Sequence, residues 1–142
     1  MADRTRVVGT GDVEVNRRRG GEIRVLLSPR TVGACSGFSG VLDLAPGEFV
    51  GEHLHPYSEE FLYVERGALT MRLDGTTELP LAAGQALLVP IGVRHRLVNT
   101  GAEPARLVFH LSPLAPRPEL GHVDTEPLPG SQHPQPEVGG PR

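Results

Sequence analysis

The chain has 142 residues and a net charge of −3, with modest apolar content and few aromatic residues. That is enough for one domain with a real core, and it argues against a protein that binds nucleic acid or a membrane surface overall. All 14 basic residues are arginine, which excludes catalysis through a lysine Schiff base.

No run of about eighteen apolar residues occurs, and the first twenty residues lack an apolar stretch. The expectation is therefore no membrane span and no signal peptide. Cys35 is the only cysteine. No intrachain disulfide can form, and a cytoplasmic location is expected.

Residues 1–20 are polar and end in Arg17, Arg18 and Arg19, which reads as an N-terminal arm. From Glu22 onward, short apolar runs are broken by turn residues every eight to twelve positions: EIRVLLS, GFSGVLDL, EFVGEHLH, EFLYVE, ALTMRLDG, TELPLAA, QALLVP, RHRLVN and ARLVFHLS. Several alternate with period two, so the fold class is all-β, a sandwich or barrel over residues 21–115. The Asp74–Gly75 pair between two runs predicts a hairpin. Eight of the fourteen prolines fall between Pro113 and Pro141. Residues 116–142 therefore read as a Pro-rich tail, disordered past about residue 128, in which PELGHVDTE can still pack on the barrel.

His53 and His55 are two apart, so on a strand both imidazoles face one side and Leu54 turns away. Glu60 follows the short turn PYSE and can reach the same point, with Glu59 as its neighbouring alternative. This pair alone is weak evidence, because a His-x-His on a strand is often structural. GQALLVPIGVRHRLVN, residues 84–99, strengthens it by delivering His95 on a glycine- and proline-framed strand. Three imidazoles and one carboxylate suit a divalent ion of iron, manganese, nickel, cobalt, copper or zinc.

GEFVGEHLHPYSEEFLYVERG and GQALLVPIGVRHRLVN together resemble the two motifs of the cupin superfamily. The resemblance implies a double-stranded β-helix, a jelly-roll barrel, with metal ligands His53, His55, Glu60 and His95. A metal-free cupin with a structural histidine cluster is the alternative. The flanks NRRRGGEIRVLLSPRTVGA and LSPLAPRPELGHVDTE look like the small cupins that act as polyketide cyclases in aromatic polyketide pathways. That resemblance implies a poly-β-ketone substrate and a metal acting as Lewis acid, with Glu60 as ligand or base. It also implies a homodimer, to which EIRVLLS can cross, and an acidic acyl carrier protein docking on the arginine cluster. The same ligand set also serves a cupin oxygenase, and a non-catalytic accessory or small-molecule-binding cupin is a third reading.

His110 is a candidate inward-facing catalytic residue or extra ligand. His122 reads as structural or surface, Tyr63 as packing on the face opposite Glu60, and Arg94 and Arg96 as turned away from the metal. Cys35 reads as small packing, Asn99 as strand geometry, and Leu69, Met71 and Leu73 as barrel lining.

Overall fold

Alternation along each strand decides which side chains meet inside. In the computed structural model, which describes residues 5–136, the strands are β1 (Glu22–Leu27), β2 (Phe38–Leu44), β3 (Phe49–Leu54), β4 (Glu59–Arg66) and β5 (Ala68–Leu73). They continue as β6 (Thr77–Ala82), β7 (Ala86–Val89), β8 (His95–Val98), β9 (Ala105–Ser112) and β10 (Val123–Asp124), with one short helix, α1 (Pro29–Val32). On β9, Ala105, Leu107, Phe109 and Leu111 are buried while Val108 and His110 face solvent. On β4, Leu62 and Val64 are buried and Tyr63 is outside.

The strands form two antiparallel five-stranded sheets, in the orders β1-β2-β9-β4-β7 and β10-β3-β8-β5-β6. Their inner faces close on a core that includes Leu44, Val64, Leu69, Met71, Val89 and Leu107, each nearly inaccessible to solvent. Burying a side chain of this size contributes about 1.5–3 kcal/mol. The all-β barrel expected from the sequence is the fold observed.

Three local features shape the strands. Asp74 and Gly75 both take positive φ, 49° and 75°, and Thr76 N–H donates to the Leu73 carbonyl at 3.1 Å. That backbone suits the tight β5–β6 hairpin and matches strand twist. Gly40 lies where β2 passes β1 so closely that a Cβ would collide with the Arg24 carbonyl oxygen. β1 pairs with β2 of its own chain. Pro80 sits on β6, an edge strand, where its missing N–H costs no ladder bond.

The arm and the tail brace each other. Asn16, buried, exchanges backbone hydrogen bonds with Ile23, and its side-chain oxygen accepts from Arg18 N–H. Arg17 pairs with Glu22 at 2.9 Å, Arg18 donates to the carbonyls of Ser131 and His133, and Arg19 lies 3.4 Å from Asp124. All three arginines of the arm thus have partners within the chain. Residues 128–136, read from the sequence as disordered, include Gly130, whose N–H donates to the Arg18 carbonyl at 3.0 Å. Earlier in the tail, β10 adds to the edge of β3, pairing Val123 with Leu54 and Asp124 with His53. Residues 137–142 lie outside the described residues.

Candidate metal centre

β3 carries His53, and His55 follows one residue past its end. β4 brings Glu60 in on the same side as Leu62 and Val64, while β8 opens with His95 directly opposite His53 in the ladder. The donor atoms of these four residues all lie within 4.8 Å of one another. Glu60 Oε1 is 3.0 Å from His95 Nε2 and 3.7 Å from His55 Nε2. The imidazole centroids are 4.1 Å apart for His53 and His95, and 4.9 Å for His53 and His55.

Each imidazole is held by its other nitrogen. His53 Nδ1 meets the Gly51 carbonyl at 2.7 Å, His95 Nδ1 the Val93 carbonyl at 2.9 Å, and His55 Nδ1 the Gly121 carbonyl at 3.0 Å. A carbonyl only accepts, so Nδ1 carries a proton in all three rings and Nε2 is the nitrogen left to face the centre, where that of His95 meets Glu60 Oε1. Carbonyls that fix the tautomer in this way typically surround metal-ligating histidines. His55 Nε2 is buried without a hydrogen-bond partner. A buried lone pair is costly to leave unmatched, and a cation bound there satisfies it. The four residues therefore fit a divalent ion.

The electrostatics agree. Burial, aided by the neighbouring imidazoles, pushes the His53 pKa well below its ordinary value and keeps the ring neutral. Burial pushes the Glu60 carboxyl up, but the facing imidazoles of His55 and His95 outweigh it and hold the group ionised. His95 is likewise opposed by burial yet raised by Glu60.

The centre lines a cavity of about 460 Å³, whose walls include Val25, Phe38, Leu42, Leu62, Leu107 and Phe109. That size falls within the range of small-molecule sites. Asn16 and Arg19 from the arm, and Leu114, Glu119, His122 and Gln135 from the tail, complete the lining.

Three expectations need correction. His110 does not join the site. The alternation that buries Leu107, Phe109 and Leu111 turns His110 outward, where its ring lies 5.9 Å from that of Phe61. Cys35 is exposed rather than packed. His122, read from the sequence as structural or surface, instead reaches the cavity. Its ring stacks on His53 with centroids 4.4 Å apart and planes 12° apart, and its Nε2 meets Asp124 Oδ1 at 2.6 Å. Burial is the main cause of its lowered pKa, and the Arg19 charge adds to it. The one available signal was His-x-Asp in a segment able to run as a strand.

The remaining residues sit as expected. Tyr63 points outward, Arg94 reaches Glu52 and Asp74, and Arg96 lies over the Phe49 ring at 4.1 Å. Asn99, 1% exposed, donates to the carbonyls of Leu44 and Glu103 and accepts from Gly101 N–H.

Residues 40–111 match the cupin domain. The chain belongs to the cupin family. This cupin is 60% identical over 123 residues to polyketide synthase CurC of Streptomyces cyaneus, covering 87% of this chain and 79% of that one. It is 52% identical over 133 residues to the tetracenomycin polyketide synthase protein TcmJ of Streptomyces glaucescens, covering 94% and 89%. Among solved structures, an uncharacterized conserved protein with a double-stranded β-helix domain from Klebsiella pneumoniae superposes with a TM-score of 0.68. That match has 20% identity and covers 86% of this cupin and 98% of that chain. No helix among the described residues is long and apolar enough to cross a membrane.

Proposed function

We propose that this cupin is a metal-dependent cyclase of aromatic polyketide biosynthesis, closing a ring in a poly-β-ketone by intramolecular aldol condensation and loss of water. The observation that carries the reading is the convergence of His53, His55, Glu60 and His95 on one side of an otherwise largely apolar cavity. Relatives at 52% and 60% identity that are polyketide synthase proteins support it.

A divalent ion held by those four residues supplies Lewis acidity toward a substrate carbonyl. The chain's own residues supply the rest. In the reaction, a methylene between two carbonyls loses a proton and its carbon bonds to a second carbonyl carbon. The oxygen there takes up a proton, and water then departs. Electrons balance without an oxidant. The apolar walls fold the flexible substrate so that one carbon meets one carbonyl, and they keep bulk water from the reacting atoms. Glu60 remains ionised, and the interactions that hold it so also weaken it as a base. This favours the role of ligand over that of proton acceptor.

The test compares products from native protein, metal-stripped protein and the His53→Ala/His55→Ala variant, in air and without dioxygen. The expected result is loss of the cyclised product in both altered proteins and no effect of dioxygen. Unchanged product from metal-free protein rules out the Lewis-acid role. Dioxygen uptake in step with product assigns an oxygenase instead.

A further inference from the structure

We infer that the segment Gly121–Asp124 clamps the metal centre from outside the barrel, with His122 as its positioning residue. The inference rests on the metal reading above. His53 and His95 are oriented by carbonyls two residues back on the chain, those of Gly51 and Val93. His55 is different, because it lies past the end of β3 and its Nδ1–H is held by the carbonyl of Gly121.

The next residue completes the grip. The His122 ring lies flat on His53 at 4.4 Å and edge-on to His55 at 5.4 Å. It cannot swing aside freely, because Asp124 Oδ1 holds its Nε2 at 2.6 Å and Arg19 lies 3.4 Å from that same oxygen. Asp124 is itself fixed in register with His53 by the β10–β3 ladder, and Thr125 N–H continues the attachment to the Glu52 carbonyl at 2.9 Å. The χ2 rotation of an imidazole is a broad well. A flat ring stacked on His53 narrows it, as the Gly121 carbonyl narrows that of His55. Metal affinity is therefore set partly by residues that contribute no ligand atom, as with other groups that orient metal ligands.

The experiment uses the full chain, with zinc as the probe and a chromophoric chelator as competitor. His122→Ala is expected to weaken zinc binding about tenfold to a hundredfold, the range for loss of a ligand-orienting group. The thermal midpoint of the metal-free protein should stay unchanged. His122→Phe, which keeps a flat ring but loses the Asp124 bond, should recover part of the affinity, to about the level of Asp124→Ala. Asp124→Ala, which frees the His122 ring without removing it, should weaken binding too, and it decides the matter if His122→Ala does not fold. Wild-type affinity in His122→Ala or Asp124→Ala overturns the inference. So does a loss of affinity matched by an equal fall in metal-free stability, which marks a merely structural role. If the native protein itself takes up no zinc, nickel, cobalt or iron(II), the metal reading fails and the inference with it. Normal native binding with indifferent variants sinks the clamp alone.

Discussion

Replacing Asn99 by alanine tests whether the barrel's stability and its metal centre are separable. The Asn99 side chain is buried and makes three hydrogen bonds, each of 2.9 Å, to the Leu44 carbonyl, the Glu103 carbonyl and the Gly101 N–H. At about 1 kcal/mol per bond, truncation costs about 3 kcal/mol, since the partners stay behind with poor access to water. Unfolding entropy of about 2.1 cal/mol/K per residue gives about 0.3 kcal/mol/K for a chain of this length, so Tm should fall by about 10 °C. Asn99 is four residues along the chain from His95, about 13 Å at strand rise. Zinc stoichiometry and affinity should therefore be unchanged. Differential scanning calorimetry on the metal-free protein gives the first quantity, and chelator competition gives the second. A loss below about 1 kcal/mol, the worth of a single bond, refutes the reasoning about the three bonds. A matching loss of zinc affinity refutes the separation.

Other outcomes follow from the same geometry. Zinc at a hundredfold excess over its Kd should stabilise the protein by about 2.7 kcal/mol, a rise of about 9 °C at the same unfolding entropy, and His55→Ala should abolish the shift in a thermal melt. His110→Ala should leave product and zinc binding untouched and change stability by no more than about 0.5 kcal/mol, whereas His95→Ala should lose both product and metal. Gly40→Ala should cost about 1–3 kcal/mol in chemical denaturation, because the added methyl collides with the Arg24 carbonyl and comes within 2.9 Å of the Phe109 ring.

The parts of the centre carried by strands were legible in the sequence because a strand is periodic. His53 and His55 share a face by their spacing, Glu60 and His95 sit in motifs with fixed glycine frames, and all four converge as expected. His110 was misjudged against the same rule, since its neighbours Leu107, Phe109 and Leu111 already claim the inner face of β9. His122 was hard to read for another reason. β10 is two residues long, too short for any alternation to show, and it reaches β3 across nearly seventy residues of chain. The partners of the arm's arginines could not be read either, because charge in a polar arm looks solvated until its partners appear. Those of Arg18 and Arg19, namely Ser131, His133 and Asp124, lie in the tail, and that of Arg17, Glu22, opens β1.

Seven of the described residues lining the cavity come from beyond β9, among them Leu114, Ala115, Pro118 and Glu119. None of those four belongs to a ladder or to the packed interior between the sheets. Mutation there reshapes the chamber without taxing the scaffold. A lineage of such proteins can thus diversify the molecules it handles by drift in its tails, while the strands that hold the histidines stay as they are.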